Sequence, residues 1–514
     1  MLARVVRPAA LFFLFALAGC PRPPLPADTV VLLVESAPET LDRRLALSSV
    51  AENVAGNLLE PGLVRVGEDG RPAPDLAERF EQLDPTTWLF TLRPGLRFHD
   101  GTPLRARDVA ASLESLVDPR LGSPLAGKYR VIQSVEPLGE LSVRVRLEEP
   151  DAPFLADMAI GVVPALGAAA PGRDGFGRNP VGAGPFRFVS WDGEERLLLE
   201  ANPDYYGGAP AIGHLLVKTV RDETTRALEL EAGEADLEIN ALSPEILPSI
   251  ERMPRLRVLS ATGANTAYLV FQTSDPKVAD ARVREAVSLA IDRASIVRFK
   301  FHGHATVASS LLPPGNWAHA PGPAVQRDLP RARELLAEAG DGPGHPLSLV
   351  FESSTDRFRR SIALALASQL GEAGIDVRLR SLEFGTFFAE VNRGDFELAA
   401  LKWVPILDPD LLCWAFCSGS IPTAENGWVG GNRERFRDPA LDSLLLEARG
   451  SSDERLRLTD YRAAQALLAR ELPYVVLWHE DSVAVVRDDL EGLAVSPYGF
   501  FDGLARARRL GVGP

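Results

Sequence analysis

Two cysteines four residues apart, Cys413 and Cys417, and two histidines around a glycine, His302-Gly303-His304, place sulfur and imidazole groups close together in this chain. Thiols at that spacing can form a disulfide where the backbone is helical or tightly turned. Two buried thiols are the other reading. A zinc site normally takes four ligands. No histidine lies near the cysteines and no carboxylate lies beside the histidines, so neither pair is expected to hold a metal. The histidines read as loop residues. The chain has no Gly-x-x-x-x-Gly-Lys loop to cradle phosphates and no Gly-x-Ser-x-Gly elbow to raise a nucleophile. Its scattered Asp and Glu residues fall into no motif that nominates a catalytic pair. No catalytic residue and no cofactor is therefore expected.

The third cysteine, Cys20, has a different context. It ends the run Leu11-Phe12-Phe13-Leu14-Phe15-Ala16-Leu17-Ala18-Gly19-Cys20, which Arg4 and Arg7 precede. A basic start, a short apolar core and small residues before a cut site describe a secretory signal. The run is shorter than the roughly 20 apolar residues of a membrane span. Leu17-Ala18-Gly19-Cys20 resembles the bacterial lipobox, which implies cleavage after Gly19, lipid on Cys20 and a membrane-tethered protein outside the cytoplasm. Residues 1–19 are then a signal peptide, and 20–28, with Pro-Arg-Pro-Pro-Leu-Pro at its centre, an extended tether. An exported protein meets oxidising conditions, which keeps a Cys413–Cys417 disulfide open.

The elements that would position functional side chains follow from periodicity. The chain has 514 residues, 46% of them hydrophobic and 24% charged, enough for about three globular domains. A net charge of −15 argues against nucleic acid, which selects basic surfaces. Val30 to Val34 reads as a buried strand. Trp88, Phe90 and Leu92 alternate as a strand; Arg93-Pro94-Gly95 turns; Leu96 and Phe98 are expected to start a return strand. Asp108 stands near the start of a helix carrying Val109, Leu113 and Leu116. Leu141, Val143, Val145 and Leu147 form another half-buried strand. From about residue 280 the pattern changes. Val283, Val287 and Ile291 mark a helix, and Asp328-Leu329-Pro330 opens another that Gly340 ends. Leu347 to Phe351, the helix through Ile362, Leu366 and Leu370, Ile375 to Leu379, a short helix near 385–392 and Phe396 to Lys402 alternate strand and helix. That order predicts a parallel sheet, with ligand-binding loops at one edge. Trp403 and the loop after it sit at that edge.

Several segments together resemble the extracytoplasmic solute-binding proteins of peptide-type ABC importers, bacterial solute-binding protein family 5, whose members include dipeptide, oligopeptide and nickel receptors. They are Pro74-Asp75-Leu76-Ala77-Glu78, Leu96 to Pro103 with Arg107-Asp108-Val109, Gly182-Ala183-Gly184-Pro185-Phe186 with Asn202 to Tyr206, Tyr268 to Phe271 with Ala290-Ile291-Asp292-Arg293, and Ala332 to Gly340 with Gly374-Ile375. They occur in the expected order between about 30 and 490. Most read as architectural: Asp100-Gly101 and Asn202-Pro203-Asp204 are turns, and Tyr205-Tyr206 packs. The resemblance implies an α/β, two-lobed periplasmic-binding-protein fold with central sheets, an extra subdomain in the larger lobe and a hinge of two chain crossings, near 265–270 and near 480. The large lobe would be 29–267 plus 482–514, and the small lobe 268–481.

What the resemblance implies for the site is narrower. In peptide-binding relatives a tryptophan at the end of this strand lines the pocket, and an aspartate shortly after it holds the peptide ammonium. Here the run is Trp403-Val404-Pro405-Ile406-Leu407-Asp408-Pro409-Asp410, apolar before the Asp-Pro-Asp and one residue shorter than in dipeptide binders. Trp403 is the expected platform. Asp408 either anchors an ammonium or caps a turn. Arg357 lies near where dipeptide relatives use an arginine, whose fork suits a carboxylate; a solvated helix-start charge is the alternative. The implied function is a non-catalytic, extracytoplasmic, lipid-anchored receptor, a monomer that encloses a short peptide or similar small solute and delivers it to a permease pair with ATPase subunits. Same-fold receptors for a nickel chelate, haem, an opine or an oligosaccharide are alternatives. An exported lipoprotein enzyme, or a sensor or chaperone outside transport, represents other classes.

Overall fold

The computed structural model describes residues 25–168, 175–193, 195–323 and 325–511. The signal, the cut site and Cys20 lie outside the described residues. Two lobes share a mixed sheet. Its strands run, edge to edge, Asp376–Leu382, Ser348–Ser354, Leu398–Trp403, Leu256–Phe271, Tyr474–Arg487, Leu237–Ile239, Thr29–Val34, His214–Thr219, Arg196–Ala201 and Phe186–Trp191, with Ala305–Val307 added on Tyr474–Arg487. The order explains the sequence. Thr29–Val34 pairs in parallel with His214–Thr219 on one side and Leu237–Ile239 on the other. A strand covered on both edges and both faces is a continuous apolar run, and Val-Val-Leu-Leu-Val is one.

Two long antiparallel strands, Leu256–Phe271 and Tyr474–Arg487, carry the chain through both lobes. They pair from Leu256↔Arg487 to Ala261↔Ser482, slip, and pair again from Asn265↔Glu480 to Val270↔Tyr474, with another irregularity between Ala267 and Tyr268. The slip leaves more residues on the first strand than on its partner, which bends the ladder as a bulge does. Gly263 lies within it, and a side chain there would drive straight into the Glu480 carbonyl oxygen.

On the large-lobe side, Val30, Leu32, Val34, Leu215, Val217, Phe186 and Val486 form the sheet's core. A separate four-stranded sheet, Ala77–Asp84, Thr87–Leu92, Ser142–Leu147 and Ile132–Leu138, makes a subdomain with the helix Ala106–Val117. Phe90, Leu92, Val109, Leu113, Val143, Val145 and Phe154 fill it. Leu96 and Phe98 do not start a return strand. Both edges of Thr87–Leu92 are already occupied, by Ala77–Asp84 and Ser142–Leu147. Leu96 and Phe98 instead pin a loop into the core, closed by an Arg97–Pro103 bridge and by the Phe98 N–H donating to the Thr102 carbonyl at 2.9 Å and the Leu104 N–H to the Leu96 carbonyl at 3.0 Å.

In the small lobe, Ser348–Ser354 pairs in parallel with Asp376–Leu382 and with Leu398–Trp403. The helices Arg357–Glu372 and Phe384–Arg393 make the crossovers. The helix Leu329–Ala339 has Asp328 at its N-cap and Gly340 at its C-cap, at a φ of 103°. Alternation along Leu256–Phe271 sends Leu269 and Phe271 to one core, with Leu349, Phe351 and Leu366. It sends Tyr268 and Val270 to the other, with Phe387, Phe416 and Tyr474. Cys413 and Cys417 are joined in a disulfide across the short helix Leu411–Phe416 and its C-cap. Of the two readings left open by the spacing, the helical backbone brings the pair to bridging distance, with Cα atoms 4.8 Å apart.

Candidate functional site

The subdomain of the large lobe and the small lobe face one another across a cavity of about 290 Å³. Arg71, Trp88 and Asp151 line it from the first; Trp317, Asp408 and Arg457 line it from the second. The lobes touch around it. Arg71 pairs with Glu454 at 2.7 Å, and its guanidinium lies 5.1 Å from the Trp317 ring. Arg449 reaches Asp151 at 3.5 Å, and the Ala152 N–H donates to the Arg449 carbonyl at 2.9 Å. On another part of the interface Lys300 pairs with Glu245 at 3.0 Å. These contacts describe a closed arrangement.

Asp408 does two things at once. Its Oδ1 accepts the Asp410 N–H at 2.8 Å, and its carbonyl accepts the Leu411 N–H at 3.2 Å, so it forms the turn into the helix Leu411–Phe416. It also lines the cavity. Burial pushes its carboxyl up from the usual range, and nearby Arg457 opposes that shift. Arg457 stacks its guanidinium on Trp317 at 5.0 Å and Tyr461 at 5.9 Å. Its Nε and Nη2 are buried without a hydrogen-bond partner among the described residues. The cavity therefore presents a carboxylate and a cation with unused donors. Asp410 lies behind Asp408, 3.9 Å from Arg449. Burial pushes it up to about 7; Arg449 opposes this, and Asp408 and Asp151 reinforce it.

Trp403 ends its strand in an aromatic stack within the small lobe, not among the residues lining the cavity. Its ring lies 6.3 Å from Tyr268, which stacks on Tyr474 at 4.1 Å. The Arg433 guanidinium sits between rings, 4.9 Å from Trp403 and 4.8 Å from Phe388. The Trp403 Nε1 is buried and has no hydrogen-bond partner among the described residues. Arg357 is exposed in the first turn of its helix, where Asp356 is the N-cap. It makes no ion pair among the described residues.

Sequence reasoning missed two sets of residues. Arg359, two positions beyond Arg357, pairs with Glu480 at 2.9 Å, and Lys402 pairs with the same carboxylate at 2.7 Å. Burial would raise the Glu480 carboxyl, but the two cations outweigh it and hold it at about 2. A triad of charges thus sits beside the hinge slip. Its one sequence signal is Lys402, a lysine in an otherwise apolar strand. Trp317 and Arg457 carried no local signal, because spacing says nothing of residues that tertiary folding brings together. The family motifs are architectural. The His99 Nδ1 accepts the Gly182 N–H at 3.2 Å and its Nε2 lies 3.1 Å from the Gly184 carbonyl, which fixes a neutral ring. Burial pulls that ring down to about 4. Tyr206 donates to Asp75. His304 lies 3.7 Å from Glu251, and His302 turns the chain at a φ of 52°.

The pattern described as bacterial extracellular solute-binding proteins, family 5 Middle, matches residues 71–422. Probable di/tripeptide-binding protein 5 of Pseudomonas aeruginosa (strain UCBPP-PA14) is 29% identical, over 95% of this chain and 97% of its own length. Di/tripeptide-binding protein 4 of the same strain is 30% identical, over 94% and 95%. Among solved structures, NikZ from Campylobacter jejuni in complex with Ni(L-His) is 26% identical, with a TM-score of 0.80 over 94% of this chain and 100% of that one. Two lobes on a shared sheet, a cavity between them and sequence likeness along nearly the whole chain lead to one conclusion: the chain belongs to the bacterial extracellular solute-binding proteins, family 5.

Proposed function

We propose that this protein is a non-catalytic receptor that captures a short peptide or peptide-like solute between its lobes and passes it to an ABC importer. The observation that carries the reading is the interlobe cavity, which offers Asp408 as an acceptor and Arg457 as an unpaired donor. A zwitterion needs both. An unpaired buried charge costs several kcal/mol, so a ligand that supplies each partner is favoured over one that supplies neither. The di/tripeptide-binding relatives support the same ligand class. We assign the ammonium to Asp408 and the carboxylate end to Arg457, which this cavity brings together. Trp403 as platform and Arg357 as carboxylate fork lie outside its lining and are proposed for a ligand that extends beyond it, Arg357 being exposed while Arg359 is taken by Glu480.

In this reading the large lobe is 29–267 plus 482–514 and the small lobe 268–481. The register slip opposite Glu480 and Ser482 supports crossings there. The protein works as a monomer without a cofactor, outside the cytoplasm, and is held to a membrane by lipid on Cys20. Its partners are a permease pair and ATPase subunits. A receptor for a nickel chelate is the second reading, favoured by the likeness to NikZ. Native mass spectrometry of the protein as purified, followed by calorimetry with a panel of di- and tripeptides and with Ni(L-His), separates them. Peptide binding near micromolar affinity is expected, about −8 kcal/mol. Saturation by the nickel chelate with no heat from any peptide replaces the first reading with the second.

A further inference from the structure

A larger cavity lies elsewhere, inside the small lobe, and shares no lining residue with the one between the lobes. Its volume is about 400 Å³, and it is open on one side. The loop 308–323 forms one wall and the C-terminal half of the helix Glu454–Glu471 the other. Gln465 holds the two together. Its amide donates to the Ala318 carbonyl at 2.9 Å and its Oε1 accepts the Ala320 N–H at 3.1 Å. Leu311, Phe416, Leu468, Tyr474 and Val476 give the cavity an apolar body. Its size is that of a small-molecule site.

The charges are one-sided. Arg293, Arg462 and Arg470 line the cavity, and no aspartate or glutamate does, in a chain whose net charge is −15. Arg293 lies at the base, 4% exposed. Its guanidinium donates to the carbonyls of Val476 at 2.9 Å and Ser288 at 3.0 Å, and to the Ser288 hydroxyl at 2.8 Å. No carboxylate neutralises it among the described residues. Burial alone pulls it down to about 10. Arg462 is exposed at the mouth and has no ion pair among the described residues. Arg470 pairs with its neighbour Glu471 at 2.9 Å. A buried cation held by dipoles alone lacks the counter-charge that would stabilise it most, and the space beside it is largely apolar and lined by no acid among the described residues.

We propose that this cavity is a second ligand site, for a small organic carboxylate with an apolar body, its anionic head toward Arg293 and Arg462 and its body against Leu311, Phe416 and Val476. The probe pair is 4-phenylbutyrate and its uncharged amide, which share shape and differ in charge. Titration of the full chain, followed by saturation-transfer NMR or calorimetry, should show the carboxylate binding about tenfold or more tighter than the amide, as expected when charge-assisted hydrogen bonds are made. Arg462→Gln, at an exposed position, should cut that preference at least about threefold. Ala466→Phe, which fills the groove from the helix, should weaken both probes about tenfold or more while leaving the unfolding midpoint and peptide binding between the lobes unchanged. Equal affinity for acid and amide, undiminished binding in Ala466→Phe, or no binding of the carboxylate up to about 5 mM each overturns the proposal.

Discussion

Asp408 and Asp410 lie two residues apart and have separable roles. The Asp408 side chain serves its turn through Oδ1, and an asparagine offers the same acceptor. Asp408→Asn therefore keeps the turn and removes only the charge. It should weaken free-amine peptides by about 2 kcal/mol or more, the loss for one member of a buried charge pair, and leave N-acetylated peptides nearly unaffected. Calorimetry on matched peptide pairs reads this; equal losses would take Asp408 out of the site. Asp410 is different. Its Oδ1 has no hydrogen-bond partner among the described residues, and burial pushes its carboxyl up to about 7 from an ordinary value near 4. Between those values the folded protein holds a proton that the unfolded chain releases. The contribution is full below about pH 4 and is lost as pH rises through 7. Asp410→Asn should flatten that slope and stabilise the protein at pH 8 by about 1–3 kcal/mol. Urea titrations at pH 5 and pH 8 test it; a variant less stable at pH 8 would show that the Arg449 pairing matters more than the burial.

The hinge strands make their prediction as a pair. Leu256–Phe271 takes up its extra residues around Gly263, where the backbone passes too close to the Glu480 carbonyl for any side chain. Gly263→Ala must push the strands apart at the slip and should cost about 1–3 kcal/mol, the range for overpacking. A lowered urea midpoint with unchanged slope is expected; an unaltered midpoint would mean that the slip has slack. This slip was not legible in the sequence. What was legible were the repeats of 2 and 3.6 residues. They identified Thr87–Leu92, Ser142–Leu147 and the small lobe's parallel strands, and the Asp328 and Gly340 caps bounded a helix. Leu96 and Phe98 fit the same alternation as a strand yet are a loop, because pairing depends on a free edge and periodicity does not report edges. The site suffered more. Trp317, Asp408 and Arg457 come from three distant segments of the small lobe, and Arg71 reaches them only because the large lobe folds against it.

The closed arrangement of the whole molecule rests on a few cross-lobe contacts. Arg71 and Glu454 are each about half exposed, so their pair contributes roughly 0–1 kcal/mol. That is little for stability but enough to move an open–closed balance up to about fivefold. Arg71→Ala should enlarge the radius of gyration of the ligand-free protein in X-ray scattering and weaken ligand up to about fivefold. The radius at saturating ligand should not change. Identical free-state scattering in both proteins would assign closure to other contacts. Attachment is tested at the same scale. Each buried methylene contributes about 0.8 kcal/mol, and more than one acyl chain gives stable anchoring, so Cys20→Ala should move the protein from membrane to soluble fractions. Retention in the membrane would point to another anchor. A chain fastened at that end, as proposed, would meet mechanical load, and the first strand would decide how the load is borne. Thr29–Val34 is an interior strand, laddered along its length to His214–Thr219 and also paired to Leu237–Ile239, which is itself paired to a hinge strand. A pull delivered along the strand axis would load these ladders in shear. Many hydrogen bonds must then give together, where an edge strand at right angles to the pull would peel one bond at a time. Drag on captured cargo would then fall on these paired ladders, away from the register slip at Gly263, which lies between another pair of strands.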